Sequence, residues 1–178
     1  MDKTALMIID IQPVFMTSPR MLTVDGDDLT EKCRRLIERA RVSAIPLVFV
    51  QHVDRDDMPD GIDEAQVAFH PDVAPRDGEP VVGKRFGSGF MATPLHEILQ
   101  EGGISHLLVC GLSAYGCVNA TVSYGKLLGY RVDVVRDAVA APEVEGFPPH
   151  TGIPQFADEW ERVGIGLVSS EEALALLS

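Results

Sequence analysis

The sequence predicts a three-layer α/β/α fold, with one domain over residues 1–178 built on a mostly parallel, six-stranded sheet. Three observations predict it. Apolar runs of strand length alternate with stretches of helical period, the pattern of a parallel sheet carrying helices on both faces. Those runs are continuous in hydrophobicity, as in strands covered on both sides. The chain of 178 residues, 46% of them hydrophobic, suits one domain with a sizeable core and is short for two.

The elements follow in order. TALMIID (4–10) reads as the first buried strand. Residues 28–42 place Leu29, Cys33, Leu36, Ile37 and Ala40 at helical spacing. PLVFVQ (46–51) is the second strand, and a Pro- and Asp-rich connection over 52–79 leads to the third, PVVGK (80–84). A connection of that length reads as functional or oligomeric surface. Thr93-Pro94 opens a helix, with Thr93 expected as N-cap and Pro94 at the first helical position. ISHLLVCGL (104–112) is the fourth strand, and a helix is expected from about Cys117 to Leu128, ending near Gly129. RVDVVRD (131–137) is the fifth strand. A helix over 154–163 and a short last strand, GIGLVS (164–169), follow. Ser169 and Glu172 form a capping box into the final helix, EEALALL. In such a Rossmann-like sheet ligands bind at the carboxyl ends of the strands, so reactive side chains there become the candidates.

Composition narrows the partners. A formal net charge of −12 argues against nucleic acid or an anionic membrane surface, since either asks for a basic face. No stretch approaches the roughly 20 apolar residues of a membrane span, and the apolar run before Asp10 is too short for a signal peptide. Three cysteines, Cys33, Cys110 and Cys117, have no paired spacing, so a reducing, cytoplasmic setting is expected.

Three residues share the carboxyl edge. Asp10 ends the first strand and Lys84 the third, while Cys117 follows the fourth at the start of a helical pattern. Each has an ordinary alternative: Asp10 capping a turn, Lys84 on the surface, and Cys117 a small buried hydrophobe, as Cys33 and Cys110 read. Gly83-Lys84 is no phosphate loop, because Arg85 stands where the hydroxyl residue is required. Together the three residues make a small charged site. The lysine and the helix start are expected to favour thiolate, and the carboxylate can accept or return a proton. This is the layout of an activated nucleophile, with the backbone N–H of Cys117 and of a residue in the preceding turn available to an oxyanion.

ALMIIDIQPVF (5–15), VVGKRFGSGFMATPL (81–95) and LLVCGLSAYGCVNATVSYGKLLGYRVDVVRDAVAA (107–141) resemble, in order and spacing, the aspartate, lysine and cysteine motifs of the isochorismatase-like cysteine hydrolases. That superfamily includes nicotinamidases and N-carbamoylsarcosine amidase. The resemblance implies a catalytic triad of Asp10, Lys84 and Cys117 and a non-proline cis peptide between Leu112 and Ser113. It also implies an oxyanion hole of the Ser113 and Cys117 backbone N–H groups. Ala114 departs from the Thr that commonly stands three residues before the cysteine, and Tyr115 adds an aromatic group there. No histidine set has metal-ligand spacing, so neither metal nor cofactor is expected, and His52 and His70 read as structural or pocket-lining.

The expected chemistry is hydrolysis of a small amide or ureido compound through a thioester. Phe15, Phe86, Phe90 and Tyr115 are candidate pocket walls, with core packing the alternative for each phenylalanine. Two further readings stay open: vinyl-ether cleavage of the isochorismatase type, and a non-catalytic binding or redox module on the same fold. The resemblance also implies a homodimer or homotetramer. The Pro- and apolar-rich segment 142–156 reads as either a docking surface or a surface loop.

Overall fold

The computed structural model describes residues 2–17, 26–56, 58, 60–141, 150–151 and 157–178. In it all six expected strands form one sheet. β1 (Thr4–Ile9), β2 (Leu47–His52), β3 (Val81–Lys84), β4 (His106–Leu112) and β5 (Arg131–Ala141) are followed by β6 (His150–Thr151) and β7 (Gly166–Val168). Six run parallel in the spatial order β3-β2-β1-β4-β5-β7, and β6 is a two-residue antiparallel addition along the far end of β5. Two residues carry no periodicity, so β6 leaves no mark in the pattern.

The continuous apolar runs are buried from both sides. Along β1, Ala5, Met7 and Ile9 join one apolar cluster while Leu6 and Ile8 join the other, the two-residue alternation of a strand. On one face lie α2 (Gly26–Val42) and α7 (Ser170–Leu176), contributing Leu29, Cys33, Leu36, Ile37 and Ala40, then Ala173. On the other lie α4 (Leu95–Glu101), α5 (Asn119–Leu127) and α6 (Ala157–Arg162), with Leu95, Leu99, Val122 and Trp160 packed inward. Each fully buried side chain of this size is worth about 1.5–3 kcal/mol against exposure, so the pattern on β1 strongly fixes its register.

Several boundaries differ from expectation for local reasons. The helix expected to open with Thr93 as N-cap begins at Leu95, with Pro94 in the cap position. The Thr93 hydroxyl still accepts the Leu95 N–H at 3.3 Å while donating to the Gly89 carbonyl. Two short elements went unpredicted, α1 (Pro13–Thr17) and α3 (Glu64–Val67), the second held by a capping box between Asp63 and Gln66. The capping box of Ser169 with Glu172 is present as expected. Most of the segment 142–156 lies outside the described residues.

The strand order reverses beside β1. The chain moves outward through β2 and β3, then returns to place β4 on the other side of β1. Sheets of this kind bind ligands at such a switch point, here the carboxyl ends of β1 and β4.

Candidate active site

Strand parity and one backbone exception bring the candidates together. His52 and Lys84 are register partners at the ends of β2 and β3. They lie two residues beyond Val50 and Val82, which face the α5 side of the sheet, so both side chains emerge on that face. The same alternation would send Asp10 to the α2 face with Leu6 and Ile8. Instead Asp10 has a φ of 50°, in the left-handed region that aspartate tolerates better than most residues. The extended pleat of β1 ends there, and the carboxylate meets Lys84.

A glycine supplies the closeness on the other side. Gly111 pairs with Ile9 across β1 and β4. It has a φ of 127°, and a Cβ there would stand 2.0 Å from the Ile9 carbonyl oxygen. Only glycine permits this approach. The chain leaves β4 through a cis peptide between Leu112 and Ser113 and enters a π-helical turn, Ala114–Val118, that carries Cys117.

Lys84 is the hub. Its Nζ lies 2.8 Å from Asp10 Oδ2, 3.0 Å from Cys117 Sγ and 3.2 Å from His52 Nδ1. The Lys84 side chain is wholly buried and that of Asp10 is 2% exposed. Neither Asp10 oxygen meets an aligned hydrogen-bond donor, so the contact with Lys84 is one of charge and distance, and the carboxylate keeps lone pairs for a proton.

The electrostatics follow from burial. Desolvation raises the Asp10 carboxyl above its ordinary pKa, and the Lys84 charge and neighbouring thiol only partly oppose it. Burial works against charge on Lys84 too, but its interactions with Asp10 and Cys117 outweigh it and the net shift is upward. Desolvation, then the Asp10 charge, push the Cys117 thiol up to about 12, with Lys84 offsetting only part. This corrects the expectation of a poised thiolate. Cys117 lies in the π-helical turn that runs directly into α5, and burial beside a carboxylate outweighs the helix-end stabilisation expected for it. The shift favours the thiol over the thiolate, and the Asp10 carboxylate nearby is placed to take its proton.

The sequence pattern of the isochorismatase domain matches residues 4–150. The chain belongs to the isochorismatase family. An uncharacterised isochorismatase family protein of Bacillus subtilis is 30% identical over 144 residues, 80% of each chain. Streptothricin hydrolase of Streptomyces noursei is 31% identical over 147 residues, 81% of this chain but 57% of the longer relative. The chain thus spans little more than half of that hydrolase. The crystal structure of N-carbamoylsarcosine amidase from Thermoplasma acidophilum superposes with a TM-score of 0.80 at 28% identity, over 95% of this chain and 97% of that one.

Within this isochorismatase-family site the remaining candidates separate. Phe15 sets its ring edge against His52, centroids 5.8 Å apart at 71°. Tyr115 is half-buried against the apolar cluster that also receives Cys117, and Phe86 is largely exposed two residues past Lys84. Phe90 instead stacks between Tyr124 and Tyr130 at 6.0 and 5.9 Å, so it packs the core beneath α5 and is no longer a pocket candidate. Ala114, in place of the usual threonine, is fully buried among apolar side chains. His70 accepts the Asp72 backbone N–H at 3.3 Å and caps a short 3₁₀ turn, a structural role. Among the described residues no group of three or more His, Cys, Asp or Glu side chains is placed to hold a metal ion.

Sequence reasoning missed the His52 contact with Lys84 and the clamp that sets it. Gln12, fully buried, accepts the His52 N–H at 2.9 Å and donates to the His52 carbonyl at 3.0 Å. The signal was available: His52 and Lys84 end neighbouring parallel strands, and a parity count puts them on one face.

Proposed function

We propose that this chain is a cysteine hydrolase of a small amide or ureido compound, with Asp10, Lys84 and Cys117 as its catalytic residues. The carrying observation is the Lys84 ammonium at 2.8 Å from a buried carboxylate and 3.0 Å from a thiol. Asp10 takes the thiol proton as Sγ attacks the substrate carbonyl carbon, and the negative charge passes to the carbonyl oxygen. The backbone N–H groups of Ser113 and Cys117 hold that oxygen. The C–N bond breaks, Asp10 returns its proton to the leaving nitrogen, and an acyl thioester remains with free ammonia or amine. Asp10 then deprotonates a water that attacks the thioester, and the released sulfur regains the proton. Lys84 stays charged throughout, offsetting the negative charge as it moves between carboxylate and sulfur. Relatives named as an amidase and a streptothricin hydrolase support C–N chemistry. A thiol raised to about 12 speaks against a redox module, since oxidation follows thiolate character.

The reading takes the whole chain as one hydrolase domain, because β7 and α7 beyond the family match pair and pack with β5 and α2. It also takes the protein as a cytoplasmic homo-oligomer. All three cysteines are free, and no helix among the described residues is long and apolar enough to cross a membrane. Phe86, Met91, Tyr124 and Leu127 are exposed apolar side chains on segments 80–96 and 102–132, which hold none of the chain's 27 acidic residues. A face without carboxylates is where two copies of so acidic a chain can meet with little repulsion.

The test is a panel of small primary amides and ureido compounds, read by released ammonia. Cys117→Ala should abolish turnover, and intact-protein mass spectrometry of the wild type should trap an acyl adduct on Cys117. Turnover that survives in Cys117→Ala, as vinyl-ether cleavage could, would sink the thioester route.

A further inference from the structure

An ammonium has three hydrogens and no lone pair, so the 3.2 Å contact between Lys84 Nζ and His52 Nδ1 is a hydrogen bond only if Nδ1 accepts. An imidazole accepting at Nδ1 is neutral and carries its one proton on Nε2. We propose that His52 is a positioning residue for Lys84: its neutral ring accepts one ammonium hydrogen and so holds the charge between Asp10 and Cys117. This rests on the hydrolase reading above.

The geometry supports a built arrangement. Three acceptors, a carboxylate, a sulfur and an imidazole nitrogen, stand at 2.8, 3.0 and 3.2 Å from one nitrogen. Lysine is a point charge on a flexible stem, and two contacts would leave it free to swing about the line joining them. The third removes that freedom. His52 is itself held rigidly, its backbone clamped on both sides by Gln12 and its ring edge-on to Phe15, with the residue 6% exposed. Gln12 Nε2 also bonds the Val67 carbonyl at 2.5 Å, so the clamp ties β2 to α3 across the connection that follows it.

Lys84 on β3 touches the His52 ring, and the same ammonium reaches Asp10 and Cys117. Protonating His52 would remove the accepting lone pair and set a second cation beside the ammonium. The neutral, accepting form of the ring is therefore the one that positions Lys84.

Long-range proton–nitrogen spectra of 15N-labelled protein at pH 7.5, with His52 assigned from His52→Asn, read the tautomer without any substrate. The Nε2–H form is expected. A proton on Nδ1, or a doubly protonated ring, overturns the proposal. His52→Asn offers an oxygen near the position of Nδ1 and stays neutral at every pH. It should keep kcat within about threefold of wild type, whereas His52→Leu should lower kcat roughly ten- to hundredfold with KM little changed, the usual loss for a hydrogen bond to a charged group. Equal losses in the two variants overturn it as well. A wild type that hydrolyses no amide defeats the hydrolase reading instead, and the spectra still decide the state of His52.

Discussion

Replacing Lys84 with methionine keeps the stem and removes the charge, leaving the Asp10 carboxylate buried with no cation at 2.8 Å. Breaking a buried pair by removing one partner costs about 3–5 kcal/mol if the remaining charge persists. Asp10 is already raised by desolvation, and Lys84 is the largest influence holding it down. In Lys84→Met the carboxyl therefore protonates in the folded state at neutral pH, while in the unfolded chain it ionises near its ordinary value. The sign follows from linkage: the folded state binds a proton that the unfolded state lacks, so stability rises as pH falls and is lost as pH climbs through the raised folded pKa. Between pH 7.5 and 5.5 the variant should regain up to about 1.4 kcal/mol per pH unit relative to wild type. Urea denaturation followed by far-UV circular dichroism at the two pH values measures this, and the variant's turnover should be lost. A variant within about 1 kcal/mol of wild type, with a parallel pH dependence, would refute the buried ion pair as the organiser of the site.

Three further outcomes follow from other parts of the structure. Because burial pushes the Cys117 thiol up to about 12, its alkylation by iodoacetamide, read by peptide mass spectrometry, should be slow at pH 7 and still rising above pH 9. A plateau near pH 6 would mean a resting thiolate. Gly111→Ala should fold poorly or lose more than about 4 kcal/mol in chemical denaturation, since its Cβ would sit 2.0 Å from the Ile9 carbonyl oxygen at a φ of 127°; a stable, active variant would contradict that close approach. Leu127→Glu, at an exposed apolar position on α5, should shift the light-scattering mass from oligomer to monomer with the circular dichroism spectrum unchanged. An unchanged mass would move the interface elsewhere.

How much of this was legible in the sequence depends on the range of the interaction. Strands and helices announce themselves through periods of 2 and 3.6 residues within a dozen positions. The element order, the buried faces of β1 and the stripe of α2 were therefore readable, as was the presence of Asp10, Lys84 and Cys117 at one edge of the sheet. Boundaries slipped where one hydrogen bond decided them, as at Thr93, and β6 was too short to leave a signal.

What only the tertiary structure decided depends on burial and on partners distant in the chain. Desolvation is set by everything packed around a group, so Cys117, read locally as a poised thiolate, carries a raised pKa once burial and the Asp10 charge act on it. The left-handed turn at Asp10 reverses the direction its strand parity implies, and the register of β2 with β3 sets His52 against Lys84. Phe90, near the lysine in sequence, turns into the core because Tyr124 and Tyr130 arrive from α5 and the start of β5. The sequence by itself determined which reactive groups share that edge of the sheet; the folded chain determined their charge states and who holds them in place, because both are sums over neighbours that local periodicity does not see.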